Sequence, residues 1–167
     1  MKFKKIILYI FIVIIPLSIT GCSINQITTP VPKNYLDNIV KKYVGPEGVQ
    51  PSFGGKTFYD YKIIDSEKSK NIIKIYLYYI GQEYYIEDDK LVEGTGSASF
   101  ATVTIKKENN NYKLVSYEVP KSPAQEDTVK IFPKSVRKKA IHANTPSLKN
   151  IEKEAETYFK KELKTKN

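Results

Sequence analysis

The chain has 167 residues, 41% hydrophobic and 27% charged, enough to bury a real core and too apolar for wholesale disorder. A single cysteine excludes a disulfide within the chain, and one cysteine with one histidine leaves too few ligands for a zinc site. The net charge of +9 is unevenly placed: residues 1–21 carry +3, residues 22–120 balance at zero, and residues 121–167 carry +6.

Met1 to Lys5 is short and basic, and Ile6 to Ile15 is an unbroken apolar run of ten. That is the layout of a secretory signal and too short for a membrane span, which needs roughly 20 apolar residues. Ile19-Thr20-Gly21-Cys22 follows and resembles the lipobox of bacterial lipoprotein signal peptides. The resemblance implies a diacylglyceryl group on the Cys22 thiol, cleavage between Gly21 and Cys22, and a lipid-anchored protein on the extracytoplasmic face of the cell membrane. A thiolate is the strongest nucleophile among ordinary side chains, and two acyl chains, at about 0.8 kcal/mol per buried CH₂, hold where one would leave. An uncleaved anchor is the alternative and leaves the topology unchanged. Lysines outnumber arginines 26 to 1, a bias of AT-rich genomes such as those of low-GC Gram-positive bacteria.

Residues 22–32 read as a polar tether, and 33–167 as one extracytoplasmic domain. Asn34 is placed to cap a helix with Tyr35, Leu36, Ile39, Val40, Tyr43 and Val44 on one stripe, and Gly45-Pro46 to stop it. The loop 45–55 reads as a connector or as a cover over a binding face. From Lys56 to Val119 the pattern is of strands: 56–65, 71–80 continuing into 83–87 past a bend or bulge at Gly81, 97–107, and 112–119. The turns between them are "SEKSK", Asp88-Asp89-Lys90 and "ENNN", with Gly94-Thr95-Gly96 as a flexible link. Ser122 to Gln125 has the form of a capping box, 135–141 adds a turn or two, and Thr145-Pro146 opens a last helix carrying Leu148, Ile151, Ala155, Tyr158 and Phe159 near one face. The expected architecture is α+β: an N-terminal helix, an antiparallel meander of four or five strands, and C-terminal helices closing one side of the sheet. A cystatin-like or NTF2-like arrangement has this order.

Little in the chain carries catalytic chemistry, and no catalytic residue, metal or cofactor is expected. Glu87-Asp88-Asp89 lacks the spaced oxygens of a calcium loop and reads as a solvated turn. Tyr112, Leu114, Tyr117 and Pro120, then Ile131, Phe132 and Pro133, are similar to the C-terminal extracytoplasmic region of some BlaR1-type regulatory membrane proteins, over residues 84–141. Ser135-Val136-Arg137-Lys138 fits the Ser-x-x-Lys of penicillin-binding sensors, but no Ser-Asp-Asn or Lys-Thr-Gly accompanies it. With 11 serines and 26 lysines, chance supplies about one or two such matches.

Two surfaces stand out for binding. Tyr76, Tyr78, Tyr84 and Tyr85 form a dense cluster that offers a stacking platform for a sugar or peptide, or fills a half-buried sheet surface. Lys134, Arg137, Lys138 and Lys139 offer contacts to anionic lipid or teichoic acid, or make a solvated face. Nucleic acid is not expected, because the aromatic region has no positive surplus. The sequence thus points to a non-enzymatic, membrane-anchored binding or interaction module of the cell envelope, with an envelope protein or polymer as partner. The alternative is a sensory or regulatory accessory domain of the BlaR1 type; an envelope hydrolase using unrecognised carboxylates comes last. Oligomeric state is not legible.

Overall fold

The computed structural model describes residues 29–121 and 129–165. The signal segment, Cys22 and the Ser122–Gln125 capping box lie outside them. Helix α1 (Lys33–Ile39) runs through a wider π turn (Val40–Val44) into α2 (Gly45–Gly48). Four strands follow, β1 (Lys56–Ser69), β2 (Ile72–Glu87), β3 (Lys90–Glu108) and β4 (Asn111–Glu118), paired antiparallel in the order β1-β2-β3-β4. A 3₁₀ turn (Val129–Ile131), α3 (Lys134–Ile141) and α4 (Leu148–Thr165) complete the described chain. The α+β meander expected from the sequence is present, with four strands and no fifth among the described residues.

The central strand explains the layering. Ile73, Ile75, Leu77 and Tyr79 of β2 are fully buried on one face, with Ala101, Val103 and Ile105 of β3 beside them. Leu36, Ile39, Val40 and Val44 cover that face, each large side chain contributing about 1.5–3 kcal/mol by leaving water. On the opposite face, Ile64 and Tyr76 pack against Phe132, Val136 and Ala140, while Phe58, Ile80 and Tyr84 pack against Ile151, Ala155 and Phe159. The sheet is therefore sandwiched, and the helices do not all lie on one side. A strand apolar on both faces needs two covers.

Several local expectations are corrected. The helix begins at Lys33 with Pro32 as its cap, so Asn34 lies inside it. Gly45-Pro46 does not stop it: the Gly45 N–H reaches back to the Val40 carbonyl in the π turn, and the chain stays helical to Gly48. Proline is tolerated there because it falls in the first turn of the new segment, where a missing N–H costs little. "SEKSK" is mostly strand, and the turn is Lys70-Asn71, with Lys70 at φ 54°. Asp88 and Asp89 both take positive φ, as a two-residue hairpin turn demands. Gly81 is not a bulge. The irregularity lies at Gly94-Thr95, within β3, where two residues face Glu83 alone. Leu148 is 55% exposed rather than on the packed face, and Val31, assigned to the tether, is buried in the core.

Candidate functional site

Glu83 is the one buried charged side chain among the described residues. It interrupts the apolar run of β2 and escaped the sequence reading; a single acid within the largely apolar and aromatic stretch 72–86 was the available signal. One carboxylate oxygen accepts the N–H groups of Phe53 at 3.0 Å and Gly55 at 2.8 Å. The other accepts those of Ser52 at 2.9 Å and Thr95 at 3.1 Å. Burial alone would raise its pKa, but the four backbone donors outweigh it and hold the group down to about 2. Glu83 thus pins the loop between α2 and β1 to the β3 bulge.

What the pinned loop displays is Phe53. The residue is 59% exposed, and its ring lies parallel to Tyr85, with centroids 5.4 Å apart and 5° between planes. The stack occupies one face of each ring and leaves the rest of Phe53 in water. Gly94 permits the approach, since a Cβ there would lie 2.7 Å from the carboxylate and 3.0 Å from the Phe53 ring.

The four tyrosines proposed as a platform separate. Tyr76 is buried against Phe132 and Tyr84 against Phe58, and burial first, then nearby carboxylates, pushes both phenols up to about 12. Neither ring is open to a ligand, because α3 and α4 cover this face. Tyr78 is half-buried on Phe100, at 4.7 Å. Tyr85 alone joins an exposed partner, Phe53.

The four basic residues of α3 also divide. The Arg137 guanidinium donates to the carbonyls of Phe132 at 2.8 Å and Lys130 at 3.2 Å, so it braces the preceding turn. Lys139 pairs with Asp65 at 2.6 Å. Lys134 and Lys138 are exposed, with no ion pair among the described residues.

Carboxylates gather at the β1 edge around a pocket of about 180 Å³ lined by Asp37, Asp60, Tyr61 and Glu154. Each is already engaged. Asp37 accepts from the Tyr61 hydroxyl at 2.7 Å and from Lys33 at 2.7 Å. Asp60 accepts the Ser147 N–H at 2.9 Å, just before α4, and Glu154 pairs with Lys41. Burial, then Asp37, raises the Tyr61 pKa far above its ordinary value, so the phenol stays protonated. The cluster ties α1 to β1 through Asp37 and Tyr61, β1 to the start of α4 through Asp60, and the π turn to α4 through Lys41 and Glu154. Among the described residues no three His, Cys, Asp or Glu side chains are grouped to hold a metal ion, and no helix is long and apolar enough to cross a membrane.

Compared with known proteins, the chain matches no family model, no curated sequence and no solved structure. The residues of the BlaR1-type resemblance are mostly packing residues here: Tyr112, Leu114 and Tyr117 lie against the α1 side of the core, and Ile131 and Phe132 against the α3 side.

Proposed function

We propose that the protein is a lipid-anchored extracytoplasmic lipoprotein whose domain is a non-enzymatic binding module of the cell envelope. The lipobox at Cys22 supports the anchoring. The observation that carries the binding reading is Phe53: a buried, fully bonded carboxylate holds rigid a loop whose ring is left in water. A ring fixed before binding loses little conformational freedom on contact, which favours recognition of an apolar pocket or sugar face.

The test compares retention of envelope components on the immobilised mature chain and on its Phe53→Ala variant. The expected result is loss of specific retention with an unchanged thermal midpoint; identical retention overturns the reading. For the anchor, Cys22→Ala is expected to release the protein from membranes or leave an uncleaved precursor, and normal maturation with a retained lipid label overturns it.

A further inference from the structure

Residues 22–120 balance at zero in charge, yet the fold gathers lysines at one end of the sheet, while the hairpin at the other end, where Lys56 also lies, is mainly acidic. The turns Lys70-Asn71 and Asn109-Asn110 lie side by side, joined by the Lys107 N–H donating to the Asn71 carbonyl at 2.7 Å. Residues 67–74 and 106–113 bring six lysines and two carboxylates to this end. Of the six, Lys106 alone forms an ion pair among the described residues, with Glu108 at 2.8 Å. Lys68, Lys70, Lys74, Lys107 and Lys113 are exposed. The hairpin 87–93, at the other end, has four carboxylates and one lysine.

The chain enters the domain at the lysine end. The Pro30 carbonyl accepts the Tyr112 hydroxyl at 2.7 Å, and the next residue, Val31, is buried.

We infer that the lysine end is a docking surface for anionic phospholipid headgroups, an inference that rests on lipid anchoring at Cys22. Covalent geometry bounds the orientation. Eight residue steps from Cys22 to Pro30 reach at most about 28 Å, whereas β2, with 16 residues, spans about 50 Å. An inverted domain would hold Pro30 about 50 Å from the headgroups, beyond the reach of the tether. The tether therefore keeps the lysine end near the bilayer, and docking through it turns the acidic hairpin, with the Glu83-pinned loop at the same end, away. Each lysine close to an anionic surface strengthens binding about fivefold.

The experiment uses the full mature chain purified from membranes, with the mass of Cys22 measured first. Energy transfer to a headgroup acceptor is then read from a dye at Asn110→Cys or at Glu87→Cys, in vesicles of phosphatidylglycerol or phosphatidylcholine. Supporting results are strong transfer from position 110, weak transfer from 87, and a contrast that is greatest on phosphatidylglycerol. Equal transfer from both positions on phosphatidylglycerol overturns the inference. Neutralising Lys68, Lys70, Lys107 and Lys113 together to Gln is expected to weaken vesicle binding of the chain made without lipid at least about a hundredfold. Lys134→Gln with Lys138→Gln is expected to leave it unchanged; the reverse pattern, or binding to teichoic acid polymer but not to phosphatidylglycerol vesicles, overturns it. An unmodified Cys22 overturns the anchoring and the tether bound. In that case, co-sedimentation of the unlipidated chain with phosphatidylglycerol vesicles, abolished by the fourfold variant, still supports the surface, and its absence overturns it.

Discussion

The two ends of the sheet use charge in opposite ways. At one end, lysines gather around two adjacent turns, and Lys106 alone of them is within ion-pair distance of a carboxylate among the described residues, with Glu108, which Lys113 also faces electrostatically. At the other end, the decisive charge is buried: Glu83 has four backbone donors and no cation. An exposed charge interacts over a Debye length, about 8 Å at physiological salt, and steers the molecule toward a surface. A buried one acts only on what it touches and fixes local shape. The first kind of charge depends on where the fold gathers it, whereas the second is recognised by its partners.

The largest expected effect lies at the buried end. Glu83→Gln replaces two carboxylate acceptors by one carbonyl and turns an amide toward N–H groups, leaving donors unsatisfied. A thermal midpoint lower by about 5–10 °C is expected, with faster amide exchange at Ser52, Phe53, Gly55 and Thr95. Gly55→Ala strikes the same loop, because a Cβ there would lie 2.2 Å from the Tyr84 carbonyl oxygen, which belongs to the sheet and cannot swing away. A cost of about 1–3 kcal/mol in denaturant unfolding is expected.

Acid sharpens the contrast. The folded Glu83 pKa is depressed to about 2, against about 4.3 for an unperturbed glutamate. Its contribution is therefore complete above about pH 4.3 and is lost as pH falls through about 2. Amide exchange in the loop 52–55 should accelerate over that window, while the Lys70-Asn71 turn, which has no such carboxylate, should show no matching step. Loop amides indifferent to this titration would mean that Glu83 does not hold them.

At the lysine end the effects on folding are smaller. Tyr112→Phe removes the hydroxyl that holds Pro30 and is expected to cost about 0.5–1.5 kcal/mol, read as faster proteolysis at residues 29–31. The smallest effect belongs to Phe53→Ala, expected within about 0.5 kcal/mol because the ring is mostly in water. A large loss there would make Phe53 a packing residue and remove the support for the binding reading.

The alternation Ile73, Ile75, Leu77, Tyr79 and the turn residues Asp88-Asp89 and Asn109-Asn110 determined the strands and their antiparallel order, because period-two patterning and positive-φ tolerance are local properties. The second buried face was written there too, in Tyr76 and Ile80, but it resembled a binding platform until α3 and α4 were seen to cover it. A tyrosine suits a half-open surface and a covered one alike, so residue type alone cannot decide between them. Only the tertiary structure could bring Ser52, Phe53 and Gly55 to Glu83 across about 30 residues of chain, since the link is backbone to carboxylate and leaves no side-chain signature. Only the juxtaposition of the first and third turns at one end could reveal that a stretch of zero net charge gathers six lysines there. Net charge sums over sequence; a surface potential depends on where the fold places each charge.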